Sequence, residues 1–329
     1  MSHGNISIFV PHLGCPNKCS FCDQRSITKS YSVPTAEGVK RAVETALKSV
    51  NERQMDFEVA FFGGSFTAID REYMLELLGA ASEFVESRAV KGIRISTRPD
   101  AIDEEILSVL KEYGVTAIEL GAQSLLDDVL TLNKRGHSAK DVATASRLIK
   151  DNGFELGLQM MTGLFGSNAK KDRYTAEQIV KLSPATVRIY PTITLEGTLL
   201  SELYKKGDYL PPSLDETVSL CAELKQLFIE NGIKVIRLGL HTVDESSIVA
   251  GPWHPSFGEL CDSKILYNKL ISQLGDKGTY VATVHPKSVS KTVGQKRVNI
   301  ETLLSQGYIL RVETDGNIAE GEVEIRKDE

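Results

Sequence analysis

Short β-rich runs alternate with amphipathic helical stretches along most of this chain, and no other feature limits its possible folds as much. Strands are expected at residues 6–10, 57–62, 93–97, 117–120, 155–161 and 186–190, with helices such as 36–51, 71–86, 104–113 and 139–151 between them. A repeating strand–helix unit of this kind makes a parallel sheet. Six such units predict a partial (β/α)6 barrel, followed by a helix near 213–231 and a further strand near 233–238. Crossovers in such a sheet are right-handed, and its reactive groups gather at the C-terminal ends of the strands.

The loop after the first strand holds Cys15, Cys19 and Cys22 in a Cys-x3-Cys-x2-Cys run. Iron–sulfur clusters are normally held by four thiolates, so three in a row predict a four-iron cluster with one iron left open to a small molecule. S-adenosylmethionine (SAM) fits that place, because its amino and carboxylate groups can chelate the iron and set the sulfonium beside the cluster. One electron then cleaves the S–C5′ bond, and the protein positions and shields the radical. The bland alternatives are a zinc knuckle or three unrelated thiols. Structural zinc takes four ligands, and the other cysteines, Cys221 and Cys261, lie far downstream and read as structural. His12 is the nearest substitute, on a strand end expected to point it elsewhere.

With 329 residues, 41% hydrophobic and 25% charged, the chain is long enough for one large domain and a smaller one, expected at 1–265 and 266–329. It has neither an apolar run of the roughly 20 residues a membrane helix needs nor a signal peptide's pattern, so the expectation is a cytoplasmic protein without a membrane partner. Five cysteines at this length make no disulfide framework, and an exposed cluster requires reducing conditions. A net charge of −6 makes any polyanion site a local one.

Polar groups recur at the predicted strand ends. Strand two ends in Gly63-Gly64-Ser65, where paired glycines let a ligand approach the backbone. Strand three ends in Ser96-Thr97-Arg98-Pro99-Asp100, strand four in Gly121-Ala122-Gln123-Ser124, and strand five carries Gln159. Arg135 follows in Leu132-Asn133-Lys134-Arg135-Gly136-His137, suited to a carboxylate. Together they match a nucleoside-type cofactor, which needs a few polar groups among apolar walls. Each alone reads equally as a cap or a surface group. Tyr190, at the end of strand six, is the candidate catalytic side chain, as hydrogen-bond donor, radical quencher or packing group. Trp253 and His254 share a Pro-flanked loop suited to stacking on a base or to anchoring a core, and His137 and His241 carry no assignment.

These motifs together resemble radical SAM enzymes, and are most similar to the catalytic subunit of the Elongator complex and its bacterial relatives. The resemblance also rests on Phe62-Gly63-Gly64-Ser65-Phe66-Thr67, Met160-Met161-Thr162-Gly163-Leu164, Arg188-Ile189-Tyr190-Pro191-Thr192, Glu196-Gly197-Thr198, and His254-Pro255 before Gly258-Glu259-Leu260. It implies a four-iron four-sulfur cluster on Cys15, Cys19 and Cys22. It also implies SAM held by the backbone near Phe21 and Gly63 to Ser65, with Gln123, Arg135 and Gln159 around its nucleoside and carboxylate. Ser96 stands where the family usually has a carboxylate; with Thr97 it is counted in the SAM site. Elongator catalytic subunits carry an acetyltransferase domain after the radical domain, and about 80 residues after Ala250 are too few for it.

From Tyr280 to Val312 the pattern reads strand, short helix, Gly294-Gln295-Lys296-Arg297, second helix, strand. That order resembles the minimal K-homology RNA-binding unit, whose G-x-x-G loop clamps a single-stranded backbone; here Arg297 replaces the second glycine. Lys277, Lys287, Lys291, Lys296 and Arg297 occur without an intervening acid, a stripe suited to phosphates. Lys287, Lys291, Lys296 and Arg297 are the candidate RNA contacts; a solvated cover for the barrel is the alternative.

The reading is therefore a radical SAM enzyme: an α/β partial (β/α)6 barrel with a small C-terminal K-homology-like unit. It acts on RNA, most specifically a tRNA base, with a reductant such as flavodoxin or ferredoxin. Two alternatives are tetrapyrrole chemistry, from similarity to oxygen-independent coproporphyrinogen III oxidases, and a noncatalytic RNA-binding iron–sulfur protein.

Overall fold

The computed structural model describes residues 2–10, 15, 18–22, 33–49, 55–240 and 243–328; His12 and His241 lie outside them. Its residues divide by contact into two units, 1–211 with 231–251, and 212–230 with 252–329. The expected boundary at 265/266 differs from this division, because a helix from the middle of the chain and the helix that starts at Phe257 both join the C-terminal residues.

The first unit is built on strands β1 (Ser2–Val10), β2 (Met55–Gly63), β3 (Gly92–Thr97), β4 (Val115–Gln123), β5 (Glu155–Thr162), β6 (Thr186–Pro191) and β8 (Lys234–Leu238). They form one open, all-parallel sheet in that order, with β1 and β8 at its two edges. This is the expected partial barrel with its seventh strand. A two-strand ribbon of β7 (Thr194–Leu195) and β9 (Ile248–Ala250) accompanies it. The helices are α1 (Ala36–Ser49), α2 (Arg71–Glu86), α3 (Glu104–Glu112), α4 (Asp127–Leu132), α5 (Ala139–Asp151), α6 (Ala169–Leu182) and α7 (Leu199–Lys206).

Alternation along the strands sorts the residues into two faces. Phe61, Ile93, Ile95, Ile118, Leu120, Leu158, Val187 and Ile189 are completely buried, as are Leu77, Leu78, Leu107, Leu110, Val142, Ile149 and Ile179 of the helices. Burying each such side chain contributes about 1.5–3 kcal/mol. The intervening positions, Glu58, Arg94, Ser96, Glu119, Gln159, Arg188 and Tyr190, face a cavity instead. Helix starts are fixed by side-chain caps. Asp70 accepts from the Tyr73 amide, Asp103 from Ile106, Asn168 from Lys171 and Thr198 from Ser201, while Ser138 and Asp141 form a capping box.

The second unit holds α8 (Leu214–Glu230), α9 (Phe257–Gln273), α10 (Val289–Val293) and α11 (Val298–Ser305), with β10 (Gly278–Val284), β11 (Tyr308–Thr314) and β12 (Val323–Lys327). The sheet order is β11-β10-β12, parallel between β10 and β11 and antiparallel between β10 and β12. Its core gathers Leu266, Leu270, Tyr280, Ala282, Val284, Leu303, Leu310 and Val323. The expected strand–helix–loop–helix–strand order is present. Cys221 and Cys261 are fully buried here, and burial, then the neighbouring Cys221, pushes the Cys261 thiol up. No helix among the described residues is long and apolar enough to cross a membrane.

Candidate active site

A cavity of about 1760 Å³ lies within the first unit. It reaches from the cysteine loop, at the C-terminal strand ends, to Glu155, Thr186 and Lys234 at the N-terminal ends. Single-ligand pockets occupy roughly 300–1,000 Å³, so this one has room for more than one group. Its wall carries seven Lys or Arg side chains and three Glu, in a chain whose net charge is −6.

All three cysteines of the run line the mouth. Cys15 Sγ lies 3.6 Å from Ser65 Oγ, and Cys19 Sγ accepts from Arg135 Nη1 at 3.2 Å. Among the described residues no three His, Cys, Asp or Glu side chains converge on a point sized for a single ion. The loop is fastened by Asn133, a residue the sequence reading placed only within a motif. Ser20 Oγ donates to Asn133 Oδ1 at 2.6 Å and the Ser20 amide to the Asn133 carbonyl at 3.1 Å. Asn133 Nδ2 in turn donates to the carbonyls of Val129 and Phe165, at 2.8 and 2.9 Å. Phe21 packs against a small apolar cluster of Val129, Met161 and Leu164, together with Tyr190.

Gly63, at φ +112°, turns the β2 end beneath the mouth; a Cβ there would stand 2.7 Å from both the Phe9 ring and the Val10 carbonyl oxygen. The Gly64 amide donates to that same carbonyl at 2.7 Å. At the end of β4 the register slips between Gly121 and Gln123, and Gln123 takes φ +64°, a conformation that costs a non-glycine residue about 1–3 kcal/mol. Arg135 Nη2 donates to the Gly121 carbonyl at 2.6 Å, and Arg98 Nη2 to the Arg135 carbonyl at 3.2 Å. Gln123 Oε1 and Arg135 Nε are buried without a hydrogen-bond partner. A donor and an acceptor held ready beside three thiols and a side-chain-free turn fit a polar cofactor at this mouth.

His137 Nε2 meets the Ala122 carbonyl oxygen at 3.2 Å. Since a carbonyl only accepts, the proton sits on Nε2. Burial, then the Arg135 charge, lowers its pKa to about 4.

Two candidates line the cavity but also hold protein partners. Thr97 Oγ1 lies 2.7 Å from Thr67 Oγ1 and is used in holding the loop after β2. Gln159 Nε2 donates to Glu119 Oε1, with Ser96 Oγ 3.5 Å from the same oxygen. Glu119, only 1% exposed, is thus the centre of the middle layer of the cavity: its Oε2 accepts from Arg188 Nε at 2.7 Å. Gly157 makes room for it, since a Cβ there would meet Glu119 Cγ at 3.2 Å. Burial works against the charged Arg188, and the adjacent Glu119 and Tyr190 more than restore it, raising its pKa. The Arg188 guanidinium also lies 5.1 Å over the Phe62 ring. A lower layer repeats the design: Arg94 donates to Glu58 at 3.1 Å and to Glu155 at 2.7 Å. Glu119 and Arg188 were legible in principle, as charges placed inside otherwise apolar strand runs.

A family model described as the Radical SAM superfamily matches residues 9–179, and one described as the radical SAM C-terminal domain matches 184–266. The chain belongs to the Radical SAM superfamily. It is a radical SAM enzyme, and its cofactors are a four-iron four-sulfur cluster and SAM. It is 27% identical over 256 residues to a tRNA uridine(34) acetyltransferase of Dehalococcoides mccartyi, covering 68% of this chain and 56% of that protein. An uncharacterized protein of Methanocaldococcus jannaschii is 30% identical over 280 residues, 81% of this chain and 83% of its own. The solved structure of Elp3 from Methanocaldococcus infernus, 23% identical, superposes with a TM-score of 0.64 over 84% of this chain and 69% of that one, a likeness of fold. The chain spans about half the length of the tRNA-modifying relatives it matches.

In the second unit, Lys287, Lys296 and Arg297 are exposed. Lys291 is not a free cation: its Nζ lies 3.2 Å from Asp262 Oδ2, and Lys225 also binds that carboxylate. Lys296 and Arg297 both adopt left-handed backbone, φ +52° and +64°, the strained conformation expected where glycine is missing. Asn299 Nδ2 holds the loop's base through the Lys291 and Thr292 carbonyls, at 3.2 and 3.1 Å, and Ser263 Oγ at 3.0 Å. Trp253 is half-buried, and His254 Nδ1 accepts from the Ser256 amide at 3.1 Å, at the start of α9.

Proposed function

We propose that this radical SAM enzyme modifies RNA, with a tRNA base as its target. The similarity to tRNA uridine(34) acetyltransferases across the radical region carries this reading. The exposed basic loop at Lys296 and Arg297, in a unit with the strand–helix–loop–helix–strand order, supports it. The tetrapyrrole and noncatalytic readings are not favoured by the relatives named above.

In this reading Cys15, Cys19 and Cys22 hold the cluster. Gly63, Gly64 and Ser65 receive SAM against backbone, with Phe21 packing beside it. Gln123 and Arg135 supply the unpaired acceptor and donor for its polar groups, while Ser96 and Gln159 reach it from the layer organised by Glu119. A cluster and SAM held there, given one electron by a flavodoxin- or ferredoxin-like donor, would supply radical chemistry by cleavage of SAM to methionine and a 5′-deoxyadenosyl radical. Tyr190 packs on the same apolar cluster as Phe21 and lines the cavity, where its phenol can orient the target group; burial raises its pKa and keeps it protonated.

Binding of tRNA tests the RNA half. Charge reversal of Lys296 and Arg297 together is expected to weaken binding at least tenfold and to flatten its dependence on salt by about two counterions. Unchanged affinity and slope would remove the second unit from RNA recognition.

A further inference from the structure

The groups fitted to the cluster and SAM come from the cysteine loop, strands β2 to β5 with the turns that follow them, and the segment after α4. The opposite wall of the cavity is made by β6 and β8, the last two strands of the sheet. There Arg188 and Arg237 are register partners across the ladder. Only one of the two has a counter-charge: Glu119 binds Arg188, and among the described residues no carboxylate stands within ion-pair reach of Arg237.

Arg237 is nevertheless held firmly. Its Nε donates to the Gly239 carbonyl at 2.9 Å and its Nη2 to the Leu240 carbonyl at 2.6 Å. Both bonds are to neutral acceptors, so the guanidinium is aimed but not neutralised by them, and Nη1 takes no partner among the described residues. It is half-buried and lines the cavity. Burial lowers its pKa, with Tyr190 working against the shift and the Arg188 charge adding to it. With Glu119 ion-paired to Arg188 alone, Arg237 is left without a counter-charge among the described residues. The planar fork suits an oxyanion with several acceptor oxygens, and a phosphate meets that need.

We propose that Arg237 is a phosphate clamp in the substrate half of the cavity, which takes the phosphodiester beside the target nucleotide and so fixes that nucleotide opposite the SAM site. The identity of the substrate rests on the RNA reading above; the choice of an anion does not. Arg237 acts here as a substrate-binding residue, and Tyr190 is the adjacent hydrogen-bond donor.

Two measurements on the reconstituted holoenzyme test it. The first is the tRNA concentration that gives half-maximal stimulation of SAM cleavage. Arg237→Gln is expected to raise it about ten- to hundredfold, the loss of one charge-assisted contact, and Arg237→Lys by less. The second needs no impaired variant. The Arg237 Nε–H resonance, assigned by its disappearance in Arg237→Lys, is expected to move on titration with inorganic phosphate and not with chloride at equal ionic strength. A resonance indifferent to phosphate overturns the clamp. A phosphate-responsive resonance with an unchanged tRNA requirement in Arg237→Gln overturns its assignment to the RNA backbone. If tRNA fails to stimulate the wild type while phosphate still moves the resonance, the RNA reading falls and the anion clamp stands.

Discussion

Arg135 joins the cysteine loop to the rim of the sheet: one arm of its guanidinium donates to Cys19 Sγ at 3.2 Å and the other to the Gly121 carbonyl at 2.6 Å. Its Nε remains unpartnered. A single side chain therefore touches a thiol of the cysteine run and faces the place fitted to SAM. Arg135→Gln is expected to weaken SAM binding about ten- to hundredfold, on the scale of one hydrogen bond to a charged group. Equilibrium dialysis of the reconstituted protein measures it, and unchanged affinity would free Arg135 from that role.

Asn133 restrains the same loop from below. Asn133→Ala removes the Ser20 Oγ acceptor and two donors to backbone carbonyls. The expected cost is about 1–3 kcal/mol, seen as a lower Tm and faster loss of iron to a chelator. Retained iron at the wild-type rate would show that the loop does not depend on this anchor.

Glu119 is the buried partner of Arg188. Glu119→Ala leaves that guanidinium uncompensated, which costs about 3–5 kcal/mol. Glu119→Gln keeps the shape and is expected to cost less. Equal urea midpoints for the two variants would contradict an electrostatic role for the carboxylate.

The outline of the fold was legible because each strand is a short apolar run between helices with good caps. Helices at 71–86 and 139–151 carry their stops in the sequence, and Arg71–Glu86 and Ala139–Asp151 appear as read. Which side chains meet was less legible. Ser96, Gln159 and Arg188 converge on Glu119 through the register of four strands, which spacing along one chain does not reveal. Lys291 reads as a free basic residue until Asp262, far back on α9, is brought beside it. The grouping of α8 with the C-terminal residues was hidden for the same reason, since contact is not chain order.

His137 predicts a dependence on acid. Its pKa falls from 6.5 to about 4 on folding, so between those values the unfolded chain binds more protons than the folded one. Stability from this group is complete above pH 6.5 and is lost as pH falls towards 4, by about 3 kcal/mol in all. His137→Gln is expected to flatten that part of the curve in urea titrations. An unaltered pH profile would show that His137 titrates normally.

The central claim is radical SAM chemistry directed at RNA. The most direct measurement reconstitutes the cluster anaerobically, adds SAM and dithionite with or without bulk tRNA, and quantifies 5′-deoxyadenosine by mass spectrometry, with Cys19→Ala as control. The account predicts cleavage by the wild type that rises with tRNA and is absent from Cys19→Ala. Cleavage retained without Cys19 would contradict the cluster assignment, and cleavage indifferent to tRNA would contradict the RNA substrate.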